Sequence, residues 1–181
     1  DEAPEYDSRG TPLVYSWGRN EDGELAVNAN KSANQPLPIR GFRGTVRQIA
    51  SARTHTAIIN GEGHIYMAGS LLFEKIGIPA QVNNFREFHF HTPMSQYKVK
   101  KVACGDYHTL ALTQQGLLFS WGGSLWDKTG HKGGGIHKIE RLAGQQIVDI
   151  ACGDFHSLAL NAEGQVYSWG GGGTNKNKGQ L

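Results

Sequence analysis

The sequence predicts an all-β protein, a β-propeller assembled from four-stranded antiparallel blades. Three observations lead there. Residues 102–122 (VACGDYHTLALTQQGLLFSWG) return 48 residues later as 150–170 (IACGDFHSLALNAEGQVYSWG), identical at 12 of 21 aligned positions. A weaker copy, 49–69 (IASARTHTAIINGEGHIYMAG), begins 53 residues before the middle one, and VYSWG at 14–18 lies 51 residues before IYMAG at 65–69. Within a copy, apolar and polar residues alternate in short runs separated by glycine-bearing turns, with no amphipathic helical pattern. A period of about fifty made of short strands marks a ring of blades, each burying its apolar faces against its neighbours.

The elements follow in order. Residues 1–11 read as an N-terminal tail and 12–181 as propeller repeats, with core segments 49–69, 102–122 and 150–170. In the last copy strands are expected at 148–151, 157–160 and 166–169. The loops 60–63, 113–116 and 161–164 each close on a glycine, as a hairpin with a left-handed last residue requires. Glycine-rich loops follow the third strand at 19–23, 123–135 and 171–179. A fourth strand is then expected in each unit, for example at 38–42 or 136–142.

Composition narrows the function classes. The 18 basic and 16 acidic residues leave a net charge of +2, so binding to nucleic acid is allowed but not implied. No run of eighteen apolar residues occurs, and the acidic start has neither the basic nor the apolar region of a signal peptide, so no membrane partner is expected. The 25 glycines have no three-residue period and recur at matching repeat positions, as turn residues do. Cys104 and Cys152 occupy one repeat position without a CxxC pair. They read as reduced, buried thiols, which places the chain in a reducing compartment, cytoplasmic or nuclear.

The pattern Ala-Cys-Gly-x-x-His-Ser/Thr-x-Ala-Leu, a hairpin glycine, Val-Tyr-Ser-Trp-Gly and Asn-x-x-Gly-Gln-Leu stands here as 151–160, Gly164, 166–170 and 177–181. The closing stretch 177–181 is one residue shorter than that pattern, and the rest stands again as 103–112, Gly116 and 118–122. The pattern resembles the regulator-of-chromosome-condensation repeat family. The resemblance implies a propeller that usually has about seven blades of this length, about 350 residues in all. About three to four blades are present, so the sequence is expected to be half a propeller, the rest supplied by a longer chain or another subunit. The copy around His55 departs from the motif, with Ser51-Ala52-Arg53 for Cys-Gly-Asp and Met67-Ala68 for Ser-Trp.

No catalytic set, cofactor or metal site is expected. His55, His108 and His156 recur at one position and read as core residues hydrogen-bonded to backbone in their own blades. Trp17, Trp121 and Trp169 read as blade-packing residues. Two histidines at i and i+2, His89 and His91, lack a third ligand, and the glycines between His131 and His137 lack the Lys-Ser/Thr of a phosphate loop. No G-x-S-x-G occurs. The candidate partner-binding residues are Asp106, Tyr107, Asp154 and Phe155, in the pair before each repeated histidine, together with Trp126, Phe88 and Phe90. The resemblance puts that pair in a loop at one propeller face, and in the plant ultraviolet-photoreceptor branch Trp and Arg occupy such positions, which neither Asp106-Tyr107 nor Asp154-Phe155 matches. The aspartates also fit a plainer role, fastening the loop through backbone hydrogen bonds. Phe88 and Phe90 fall in 85–96, which lengthens its unit by about five residues and reads as an insertion. The function expected is a non-catalytic protein-interaction scaffold or regulatory propeller. The alternatives are guanine-nucleotide exchange on a small GTPase, as the resemblance allows, and chromatin or nucleic acid binding through Lys98, Lys100 and Lys101.

Overall fold

The computed structural model describes residues 14–42, 44–123, 127–171, 179 and 181. The N-terminal tail and Trp126 lie outside them. The described strands form four antiparallel sheets in chain order. The first is β1 (Tyr15–Gly18) with β2 (Ala33–Pro38). The second runs β3 (Val46–Ser51), β4 (His55–Asn60), β5 (Ile65–Ser70) and β6 (Asn84–Phe90). The third runs β7 (Val99–Cys104), β8 (His108–Thr113), β9 (Leu118–Gly122) and β10 (His137–Lys138). The fourth holds β11 (Ile147–Cys152), β12 (His156–Asn161) and β13 (Val166–Gly170). These are propeller blades. Among the described residues no helix is long and apolar enough to cross a membrane.

Register repeats with the sequence. Ile49 faces Ile58, Val102 faces Ala111 and Ile150 faces Ala159, and each first strand carries an irregularity one step in, at 46/48, 99/101 and 147/149. The hairpin glycines Gly63, Gly116 and Gly164 have φ of 82°, 78° and 83°, and each donates its N–H back to Asn60, Thr113 or Asn161. The Asn60 and Asn161 side-chain oxygens each accept two loop N–H groups, the local bonding that makes Asn a turn residue.

The core lies between the sheets. Ile59, Met67, Val99, Val102, Phe119 and Trp121 fill the space between the second and third blades, and Leu110, Leu112, Ile147, Ile150 and Ala159 that between the third and fourth. Each such fully buried aliphatic side chain contributes roughly 1.5–3 kcal/mol, so a blade is stable mainly through its neighbours. Polar clamps repeat the same pairing. Gln48 exchanges two 2.8 Å hydrogen bonds with the Val102 backbone, and the equivalent Lys101 forms an ion pair with Asp149.

The fourth strands depart from expectation. The first is 33–38 rather than 38–42: residues 39–42 cross towards the next blade, where the Phe88 N–H donates to Arg40 O. The third is only His137–Lys138 and gives way to a 3-10 turn at Glu140–Leu142. Residues 85–96 do not protrude. The additional residues lengthen β6, whose start pairs with Gly69 and Ser70, and a 3-10 turn follows at Thr92–Met94. Phe88 is therefore a core residue, 4% exposed and edge-on to Phe42; as a partner contact it is corrected, because its ring is buried in a cluster with Ala26, Ile58 and Ala68. Phe90 stays at the surface, 39% exposed, against the edges of His64 and Tyr66.

Candidate interaction face

Two of the three repeated histidines, His55 and His108, bond between blades, not within them as expected. His55 Nε2 lies 2.9 Å from Thr109 Oγ1, and His108 Nε2 lies 2.9 Å from Ser157 Oγ. Those hydroxyls donate to Lys75 O at 2.8 Å and Lys128 O at 2.7 Å, so each ring must present Nε2–H. Thr56 occupies the same place and donates to Glu24 O. Burial pushes His55 and His108 down to about 3, and both rings are neutral. Trp121 joins the ladder, donating Nε1–H to Lys75 O at 2.9 Å. Trp17, its counterpart in the first sheet, is 62% exposed, since among the described residues no sheet stands on its outer side.

The two thiols are free and each reaches back to the preceding blade, Cys104 to Ala50 O and Cys152 to Ala103 O. Burial pushes the Cys104 thiol up to about 12, which makes it unreactive.

This ladder positions one loop per blade. The second residue of each pair before the histidine has its carbonyl pinned: Thr54 O accepts from Ser70 N, Tyr107 O from Gly123 N, and Phe155 O from Gly171 N. The approach is close enough to need glycine. At Gly122, φ is 116° and an added Cβ would lie 2.4 Å from Tyr107 O. With the backbones held, the side chains line one face. Tyr107 stacks on Phe155 at 5.3 Å, and Phe73 meets Tyr107 edge-on at 5.1 Å. Neither the Asp106 nor the Asp154 carboxylate takes part in a hydrogen bond or ion pair among the described residues, so the loop-fastening role is corrected: backbone groups do that work, which leaves both carboxylates for other contacts.

Two lysines that the motif reading missed lie beneath this aromatic row. Glu24, Lys75 and Lys128 are one repeat position, and the residues before them, Gly23, Glu74 and Asp127, all have positive φ (83°, 57° and 53°). That alignment, with Asp-Gly-Glu, Phe-Glu-Lys and Trp-Asp-Lys in register, was available in the sequence. Lys75 and Lys128 are both buried. Lys75 Nζ donates to Thr54 Oγ1 at 2.6 Å and stands 5.9 Å from the Phe73 ring centre, and Lys128 Nζ stands 5.5 Å from that of Tyr107. Burial lowers both pKa values, Lys128 to about 8.

Among the described residues no group of three or more His, Cys, Asp or Glu is arranged to hold a metal. The His131 and His137 rings lie 4.2 Å apart, tilted by 37°, but each Nε2 lies on a backbone carbonyl, of Ser120 and Gly134.

Sequence comparison agrees with this architecture. Models of the regulator of chromosome condensation (RCC1) repeat match residues 13–59, 99–124 and 147–180. The chain belongs to the RCC1 repeat family. Of the two internal stretches left unmatched, 60–98 lies mostly in the divergent second blade and 125–146 after β9 of the third, taking in its short fourth strand. Relatives include the human E3 ubiquitin-protein ligase HERC2, 34% identical over 141 residues that make up 74% of this chain and 3% of that protein. The Ultraviolet-B receptor UVR8 of Arabidopsis thaliana is 30% identical over 137 residues, 72% of this chain and 30% of the receptor. Among solved structures, human WBSCR16 superposes with a TM-score of 0.74 at 23% identity, covering 90% of this chain and 44% of that one. Prp20p from Saccharomyces cerevisiae, described with its binding properties to Gsp1p and histones, gives 0.75 at 22% identity, covering 89% and 42%. The chain thus spans less than half the length of each of these proteins, and the structural likeness establishes the RCC1 propeller fold.

Proposed function

We propose that this RCC1-repeat segment is a non-catalytic protein-interaction surface, and that the face carrying Asp106, Tyr107, Asp154, Phe155 and Phe73 makes the contact. The supporting observation is a division of labour: backbone bonds hold each face loop rigid, while both aspartates have no hydrogen-bond or ion-pair partner among the described residues and the aromatic row is anchored from below by lysines. Rigid aromatic side chains on preset loops are the usual source of binding energy at interfaces. The two reduced thiols support a cytoplasmic or nuclear location.

The test is quantitative capture of proteins by the immobilised chain, compared with an Asp154→Ala/Phe155→Ser double variant. Loss of specific retained proteins at unchanged melting temperature supports the face. The same set retained in the same amounts overturns it.

A second reading, nucleotide exchange on a small GTPase, draws on the relative described with Gsp1p and on the two aspartates that have no ion pair among the described residues, which could compete for a GTPase's bound magnesium environment. Accelerated release of fluorescent GDP from a GTPase panel, lost in Asp106→Ala, supports it. Unchanged release across the panel removes it. Chromatin binding through Lys98, Lys100 and Lys101 has less support, since Lys101 is spent on Asp149 and Lys98 lies on His64.

A further inference from the structure

We propose that the cleft over Lys75 recognises a carboxylate side chain, aspartate or glutamate, presented by a protein partner. The proposal rests on the reading of this face as the binding surface and names the partner chemistry of its second-blade end.

Lys75 is 3% exposed, and among the described residues its ammonium makes one hydrogen bond, to Thr54 Oγ1. No carboxylate among the described residues lies within ion-pair distance of it. An ammonium carries three donors, and a buried cation without a paired anion is costly. The group lines a cleft of about 230 Å³ together with Arg19, Arg53, Asp22, Asp106 and Phe73. Arg19 is taken by Glu21 and Asp22. Arg53 is exposed and has no ion pair among the described residues. Asp22, Asp106 and Glu24 act on Lys75 only at a distance. Arg19 is balanced within its own group with Glu21 and Asp22, and the two cations without an ion pair among the described residues, Lys75 and Arg53, share one small opening. That is the arrangement one carboxylate would complete, with an ion pair on Lys75 and a forked contact from Arg53.

The cleft is peculiar to this blade. Arg53 and Thr54 stand where the next two blades have Asp106 and Tyr107, then Asp154 and Phe155, so only here does the pair bring a cation and a hydroxyl instead of an acid and a ring. The apolar wall rests on strained backbone. Phe73 and Glu74 are left-handed non-glycine residues, φ 64° and 57°, a conformation of the sort that costs about 1–3 kcal/mol and is kept where it serves a site. They expose Leu72 and Phe73 at the rim. A partner acid flanked by an apolar residue meets both.

The experiment follows the side-chain carbon and nitrogen resonances of Lys75 in the whole chain during titration at fixed ionic strength. The probes are N-acetyl-aspartate methylamide, its asparagine counterpart and inorganic phosphate. The expected result is a saturable Lys75 shift in the millimolar range with the aspartate probe, a rise in the lysine's titration midpoint, and no saturation with asparagine. Arg53→Gln, an exposed change that leaves folding intact, weakens the response at least threefold. No saturation, an equal response to asparagine, or tighter binding of phosphate than of aspartate overturns the proposal. A silent titration with capture by Tyr107 and Phe155 intact removes the carboxylate site alone. Lost capture with an intact titration removes the wider face.

Discussion

Mild acid should unfold this propeller through its buried histidines. His55, His91 and His108 are almost wholly inaccessible. Each has one ring nitrogen occupied, by Thr109 Oγ1, Ile76 O and Ser157 Oγ, and each has a buried Nδ1 without a partner among the described residues. Burial pushes them down to about 3, about 4 and about 3. The unfolded chain protonates near 6.5, so between pH 6.5 and about 4 it takes up protons that the native state refuses. Stability is complete above 6.5 and falls as pH drops through that window. Each histidine costs about 1.4 kcal/mol per pH unit once its unfolded form is charged, hence about 2 kcal/mol at pH 5 and about 6 kcal/mol for the three. A domain is stable by about 5–15 kcal/mol, so the effect is decisive. Half-buried His131 shifts in the same direction and adds to it. Urea unfolding followed by circular dichroism at pH 7, 6 and 5, at constant ionic strength, should show a slope approaching three protons per molecule. His108→Gln should remove about one third of that slope even if it lowers stability at pH 7. Stability unchanged from pH 7 to 5, or a full slope retained by His108→Gln, would refute the reasoning.

Other outcomes follow from the same geometry. Gly122→Ala must place a Cβ 2.4 Å from Tyr107 O at φ 116° and should destabilise by about 2 kcal/mol or more, read by thermal melting, with disturbance centred on the Asp106–Tyr107 loop. Thr109→Val leaves His55 Nε2–H without its acceptor and takes one of two donors from Lys75 O; a loss of about 1–3 kcal/mol is expected in urea unfolding. Asp149→Asn breaks only an exposed inter-blade pair with Lys101 and should change stability by less than about 1 kcal/mol, with the small difference vanishing in high salt.

The parts of the fold legible in the sequence are those where side-chain alternation and repetition coincide. The first three strands of each blade carry both signals, as in Ser157-Leu158-Ala159-Leu160 and Val166-Tyr167-Ser168-Trp169. The fourth strands carry neither. β2, ANQPLP, holds two prolines and is mostly exposed, and β10 is two residues long, so pairing to the neighbouring strand decides them rather than their own pattern. The site was legible to the same degree. The pair before each histidine stood out because it varies inside a constant frame. What the frame holds it with did not, because His55 and Thr109 are 54 residues apart and only stacking of blades brings a core histidine to its neighbour's hydroxyl. Phe88 misled for the converse reason: two phenylalanines two apart show that a strand has an apolar face, not whether that face looks inward.

In a repeat protein the copies themselves are the control, and departures from them can be sorted by cost. Replacing Cys-Gly-Asp by Ser51-Ala52-Arg53 costs little, since Ala52 N still bonds to His55 O as Gly105 N bonds to His108 O and Gly153 N to His156 O. A glutamate at the left-handed position held by glycine in the first and last repeats, preceded by a left-handed phenylalanine, does cost backbone strain, and burying the ammonium of Lys75 beside it costs more. The His55–Thr109 bond and the Trp121 contact need only the Lys75 carbonyl, which any residue supplies. The fold therefore does not require that side chain. Its burial under an arginine, a threonine hydroxyl and an exposed Leu72–Phe73 rim, in the blade that departs most from the repeat, is what a site selected for binding would look like against a scaffold selected for closure.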